Sequence, residues 1–380
     1  MSWIFKTLDE LGKIERGKSK HRPRNDKKLF GGLYPFIQTA DVTKANFYIS
    51  KYSETYNEAG LSQSKLWDAG TLCITIAANI ADTGILSMPA CFPDSIMGFI
   101  PYDGISDVRF VKYCFDILQQ KCKQISQGTA QDNLSWKKLS TIKFPAPPLE
   151  IQCRIADILS RYDLLIENYQ KQIKLLEESA QRLYKEWFVD LRFPGYENTK
   201  IVDGVPEGWK KKSLGEIACF KRGKTITKKE IIEGEIPVVA GGIEPAYFCN
   251  ISNTSNRVVT ISASGANAGY TRLYFEKIWA SDCSFIDSSA TNNLYFVYCF
   301  LINNKIAIDN LQKGSAQPHV YPKDINALIF CCPPHKILTG FELKVLRIFD
   351  LIASLKNQIN KLTEARDRLL PKLMSGEIEV

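Results

Sequence analysis

Gly12-Lys13-Ile14-Glu15-Arg16-Gly17-Lys18-Ser19 has the spacing of a phosphate-binding loop, in which backbone N–H groups cradle phosphates while the lysine and hydroxyl serve the terminal phosphate and its cation. That chemistry needs a strand before the turn and a helix after it. Here Lys20-His21-Arg22-Pro23-Arg24 follows, and a proline so soon would interrupt such a helix. A nucleotide-binding enzyme stays as one alternative. The same residues have a second use. From Lys13 to Lys28 there are eight Lys/Arg against Glu15 and Asp26, and from Lys210 to Lys229 again eight against Glu216. Two basic runs can neutralise phosphates at two points, whereas a single run is more often a solvated face. No metal or nucleophile constellation competes. The three histidines (His21, His319, His335) are scattered, the 11 cysteines hold no C-x-x-C, and methylation, helicase and dinucleotide motifs are absent.

The basic runs belong to an internal repeat. Trp3, Lys6, Thr7, Leu8, Glu10, Arg16, Gly17 and Lys18 recur 206 residues on as Trp209, Lys212, Ser213, Leu214, Glu216, Arg222, Gly223 and Lys224. Ile74-Thr75-Ile76-Ala77-Ala78 returns as Val259-Thr260-Ile261-Ser262-Ala263, and Gln127-Gly128-Thr129-Ala130-Gln131 as Lys313-Gly314-Ser315-Ala316-Gln317. Candidate phosphate contacts are therefore Arg16, Lys18, Lys20, Arg22 and Arg24 in the first copy, with Arg222, Lys224 and Lys228 in the second. Candidate readers lie in the other echoed loops: Asn79, Thr83, Gln127, Thr129 and Gln131, against Ser264, Asn267, Lys313, Ser315, Gln317 and His319. Asn and Gln pair with adenine edges and basic side chains with guanine, although each residue could equally cap a turn.

Two elements must position these loops. After Pro147-Pro148 apolar residues recur at alternating steps of four and three: Ile155, Ile158, Tyr162, Leu165, Tyr169, Ile173, Leu176. After Pro333-Pro334 the series is Val345, Ile348, Ile352, Leu355, Ile359, Leu362. Such seams belong to long helices that pack on another helix, and the spacing predicts that the two pair with each other. The rest alternates short β-rich runs (Leu72–Ile76, Arg257–Ile261, Leu328–Cys332) with helical stretches at Val108–Lys123 and Leu294–Asn303. The expected fold is α+β, with two homologous globular domains separated by two long helices forming an antiparallel coiled coil with pseudo-two-fold symmetry. Its boundaries are globular domain 1–147, helix 148–192, linker 193–208, globular domain 209–332, and helix with tail 333–380.

Composition is ordinary: of 380 residues 45% are hydrophobic and 24% charged, which excludes collagen-like and disordered chains. No apolar run approaches eighteen residues, and the N-terminus lacks a basic-then-apolar leader pattern, so a cytoplasmic location with reduced, mostly buried thiols is expected. The net charge of +8 permits an acidic partner without requiring one.

Pro147-Pro148-Leu149-Glu150-Ile151-Gln152-Cys153-Arg154-Ile155-Ala156-Asp157-Ile158-Leu159, with Leu373-Met374-Ser375-Gly376-Glu377-Ile378 at the other end, resembles the DNA-specificity subunit of type I restriction-modification enzymes along the whole chain. The second helix start, Pro333-Pro334-His335-Lys336-Ile337, departs from the pattern. The resemblance implies a non-catalytic chain whose two target-recognition domains each read half of a split duplex site, with the helix pair setting the gap between halves. It also implies docking of two methylation subunits and of restriction subunits. S-adenosylmethionine, ATP and Mg would reside in those partners and no cofactor in this chain. A coiled-coil scaffold whose globular ends bind proteins is the remaining alternative.

Overall fold

The computed structural model describes residues 3–76, 81–126, 139–227, 229–314 and 317–380. The chain divides into two compact units, Met1–Gln170 with Asn357–Val380 (unit one) and Lys171–Lys356 (unit two). Both are α+β.

In unit one a sheet runs in the order Gly12–Arg16, Ile96–Pro101, Leu72–Thr75, Thr83–Leu86, Tyr48–Ile49. Leu72–Thr75 is buried along its whole length, as a β-branched and apolar run in mid-sheet should be. A second sheet is ordered Glu54–Tyr56, Phe30–Phe36, Ala90–Cys91, Leu66–Trp67, with its middle pair parallel. A two-stranded ribbon joins Ile4–Lys6 to Phe144–Ala146.

Unit two repeats this plan. Lys221–Arg222, Cys283–Asp287, Val258–Ser262 and Thr271–Tyr274 follow the same order as the first four strands above. Tyr247–Cys249, Ile236–Val239 and Trp279–Ala280 form the second sheet, again with a parallel pair, and Lys210–Ser213 with Ile329–Cys332 forms the ribbon. The echoed Thr7/Glu10 and Ser213/Glu216 are capping boxes: each glutamate accepts from the backbone N–H and hydroxyl of its partner at 2.7–3.0 Å. Those bonds hold both carboxyls below the usual glutamate range.

The helical stretches read from sequence are helices Val108–Ser126 and Leu294–Asn303, and the long helices span Leu149–Phe188 and His335–Ser375, with 40 and 41 residues. Gly376 ends the last helix at φ 76°, a left-handed turn that favours glycine. The face each long helix buries is broader than an a/d seam. In unit one Gln152, Ile155, Ala156, Leu159, Ser160 and Asp163 are all buried, because this stretch covers the globular core as well as the last helix. Ile155, Ala156 and Leu159 share one apolar cluster with Leu72, Phe99 and Phe115 of the globular part and with Leu370, Leu373 and Met374. In unit two Tyr184, Trp187 and Phe188 crowd around Phe341 with ring centroids 5.0–6.1 Å apart.

Of the ten cysteines whose side chains are described, seven are buried as small apolar groups, and burial pushes the Cys283 thiol up to about 12. Among the described residues no helix is long and apolar enough to cross a membrane.

Candidate DNA interface

The phosphate-loop spacing is not a phosphate loop. Gly12–Arg16 is an antiparallel strand, Arg16 opposite Met97, and no helix opens after Ser19. The glycine of the Arg-Gly-Lys echo has another purpose. A Cβ on Gly17 would collide with the carbonyl oxygens of Phe92 and Pro93, and one on Gly223 with those of Ala280 and Ser281. In both units the basic turn must pass directly beneath the segment that precedes the next strand.

That segment carries a carboxylate in each unit. Arg24 pairs with Asp94 at 2.7 Å, and Arg22 reaches the same carboxylate at 3.9 Å while donating to the Ser19 carbonyl at 2.6 Å. In unit two Arg222 pairs with Asp282, which also accepts from the Ser264 hydroxyl. Sequence reading missed both aspartates. They lie 70 and 60 residues from their arginines, and their only signal is a shared place just before the strands starting at Ile96 and Cys283.

The turn of unit one is held by backbone bonds. Gly17 donates to Ile96 at 2.9 Å, the Ser64 hydroxyl donates to the Lys18 carbonyl at 2.7 Å, and the His21 backbone N–H donates to Gln63 at 3.0 Å. Arg16, Lys18 and Lys20 remain exposed, with no ion pair among the described residues. Lys13 is spent locally: it and Lys65 donate to Glu15, which pulls that carboxyl down to about 2.

In unit two the described parts of all three echoes converge. Lys313 and His319 exchange backbone bonds at 2.9 and 2.8 Å, Ser264 bridges to His319, and Gly265 donates to the Pro318 carbonyl at 3.1 Å. Arg222, Asp282, Ser264, His319 and Lys313 thus form one surface, with Gln317 exposed and Asn267 half-buried beside it. The Lys313 ammonium is held by Asp324 at 2.7–2.8 Å, and Lys224 is exposed.

Thr83, one of the candidate readers, is buried in the strand Thr83–Leu86, opposite Ile74. Asn79, Gln127, Thr129, Gln131, Lys228 and Ser315 lie outside the described residues. Of the seam residues, Ile155, Ile173, Val345, Ile352 and Leu355 are buried, while Ile158, Tyr162, Leu165, Tyr169, Leu176, Ile348, Ile359 and Leu362 are half-buried. No group of three His, Cys, Asp or Glu placed to hold a metal occurs among the described residues.

One sheet plan used twice, each copy with an Arg-Gly-Lys turn fixed under a carboxylate-bearing segment, defines a duplicated α+β binding protein. The family described as type I restriction modification DNA specificity domain matches residues 2–178 and 206–364, one match per copy. The type I restriction enzyme MjaIX specificity subunit of Methanocaldococcus jannaschii is 29% identical over 100% of this chain and 94% of its own length. The EcoR124I/EcoR124II specificity subunit of Escherichia coli is 28% identical over 50% of this chain and 48% of its own. A solved structure, the type I restriction-modification system S subunit from M. genitalium, shares the fold at 19% identity with a TM-score of 0.63, covering 98% of this chain and 96% of that one. The chain belongs to the type I restriction modification DNA specificity family. It is a specificity subunit, the part of such a system that recognises DNA and not one of its catalysts.

Proposed function

We propose that each unit reads one half of a split duplex target, and that the long helices pair as an antiparallel coiled coil whose length sets the unread gap. The observation that carries this is the duplicated turn: the same four-strand order, with Arg16-Gly17-Lys18 in one unit and Arg222-Gly223-Lys224 in the other. Phosphate contacts from Arg16, Lys18, Lys20, Arg22, Arg24, Arg222, Lys224 and Lys228 fix register, and the polar loops around Ser264, Gln317 and His319 meet base edges. The antiparallel reading is supported inside each unit. Asp163 pairs with Arg366 in unit one; in unit two Lys356 lies 3.9 Å from Glu177 while Trp187 contacts Phe341. In unit one an early residue of the first long helix meets a late residue of the last, and in unit two Trp187, late in the first, meets Phe341, early in the last.

The partners follow from the family. Two methylation subunits dock on this frame and supply S-adenosylmethionine, and restriction subunits bring ATP and Mg. Modifying a base in a duplex means taking it out of the stack at a cost of about a few kcal/mol, which requires DNA gripped on both sides.

The test is duplex binding by the chain assembled with its methylation subunit, over a range of salt. Replacing Lys18 and Arg22 by Ala is expected to weaken binding to every duplex and to flatten the plot of log affinity against log salt by roughly 1 per lost phosphate contact. An affinity loss confined to one sequence would make these residues base readers instead.

A further inference from the structure

A polar knot interrupts the apolar helix contacts of unit one. The Asp163 side chain, 2% exposed, accepts from the Tyr113 hydroxyl at 2.5 Å and pairs with Arg366, which in turn holds Asp367 at 2.8 Å. Beside them Lys112 pairs with Asp116 at 2.6 Å, and burial raises the Asp116 carboxyl. Three helices supply these groups: Val108–Ser126, Leu149–Phe188 and His335–Ser375.

The repeat provides an internal control. Both long helices follow a Pro-Pro pair 186 residues apart, so Asp163 corresponds to Phe349 and Arg366 to Ala180, while Tyr113 corresponds to Cys299 and Lys112 to Tyr298. In unit two these positions are apolar or aromatic. Phe349 and Ala180 are buried, and Phe349 stacks on Tyr295 at 4.4 Å and meets Tyr298 edge-on at 5.8 Å. The same helix positions carry an ion pair in unit one and buried apolar side chains in unit two.

Two helices that repeat each other present an ambiguity. Each could pair with its own kind from a second chain. Asp163 faces Arg366, so the repeat relation decides what like-with-like pairing would bring together: Asp163 against Ala180, and Arg366 against Phe349. The first strands the buried Asp163 carboxylate, which is strongly destabilising, and the second leaves the half-buried Arg366 without its cross-helix partner. A single polar position in an apolar seam is a known device for fixing register and partner, at a cost in stability.

We propose that the Asp163–Arg366 pair is the pairing-specificity element of the long helices: it selects the first helix with the last helix of the same chain, in one register, over like helices from two chains. This rests on the antiparallel helix pair proposed above.

The experiment co-expresses two differently tagged full-length chains with the methylation subunit, pulls on one tag and measures the other. Wild type is expected to carry one copy per particle. Asp163→Leu with Arg366→Met, both apolar, is expected to unfold at the same or higher denaturant concentration yet capture the second tag roughly tenfold more. Arg366→Met alone is expected to lower the midpoint, and the second substitution to restore it. The milder pair Asp163→Asn with Arg366→Gln is expected to move capture the same way by a smaller factor, which keeps the test decisive if the apolar pair folds poorly. Single-copy particles from whichever double variants are folded would overturn the proposal, as would an Arg366→Met chain of unchanged midpoint. The readout counts chains and uses no DNA. A failure of the half-site reading therefore leaves it unaffected, and the reverse also holds.

Discussion

The two units solve the same backbone problems with different side chains. The helix Val108–Ser126 begins at Asp107, whose own carboxylate accepts from the Arg109 N–H at 2.7 Å. At the matching place, 186 residues on, Asn293 makes no side-chain cap, and Glu342 from the last helix accepts from Tyr295 and Phe296 at 2.8 and 3.0 Å. One cap is local and the other ties the long helix to the globular part of unit two. The turn shows the same contrast: Asp94 holds two arginines of a long basic turn, whereas Asp282 holds one arginine and a loop serine. A shared scaffold thus constrains the backbone and leaves the anchoring chemistry free to diverge.

The largest expected difference between the units lies in their cores. Phe341→Ala removes a ring that contacts Tyr184, Trp187, Phe188 and Phe296, and should cost unit two about 3–5 kcal/mol. Ile155→Ala at the matching position of unit one removes a smaller side chain and should cost less, within about 2–5 kcal/mol. Urea unfolding followed by hydrogen exchange, which assigns the loss to a unit, checks both; equal losses would break the comparison.

Glu342 comes next. Burial lifts its carboxyl to about 7 from 4.5, although two backbone N–H bonds pull the other way. Between those values the folded chain holds a proton that the unfolded chain releases. Stability from this group therefore falls as pH rises from about 4.5 to about 7 and is flat above. Glu342→Gln should abolish that slope, and Glu342→Ala, which leaves two N–H groups without acceptors, should cost about 1–3 kcal/mol. Midpoints at pH 5.5 and pH 8 (assay settings, one inside that window and one above it) give the answer; a slope that survives in the Gln variant would locate it elsewhere. The smallest effect is expected at Asp94. Its pairs are solvent-exposed, so Asp94→Asn should change stability by less than about 1 kcal/mol, while freeing Arg22 and Arg24 to raise affinity for all duplexes alike. A large loss of stability would mean that the turn depends on the ion pair and not on Gly17 and its backbone bonds.

Much of this was legible in the residues because it is local or periodic. The repeat, the long helices and the strands at Leu72–Thr75 and Val258–Ser262 follow from pattern alone. The capping boxes were visible only as matched pairs, Thr7/Ser213 and Glu10/Glu216. What escaped depends on distant chain segments meeting: Asp94 and Asp282 against the basic turns, Glu342 at a helix start 47 residues before it, and the burial of Thr83. The glycines of the Arg-Gly-Lys echo imitated a phosphate loop because close backbone approach selects glycine whatever is approaching. Periodicity reports one contact face of each long helix, while these helices also cover the globular cores.

The central claim is that two units read two halves of one target, and a map of methylated adenine tests it most directly. The chain would be co-expressed with its methylation subunit and the host DNA sequenced for N6-methyladenine. The account predicts a split motif, two short half-sites at one fixed gap, present only when both chains are present. A continuous motif, or no new motif from soluble and co-purifying chains, would contradict it.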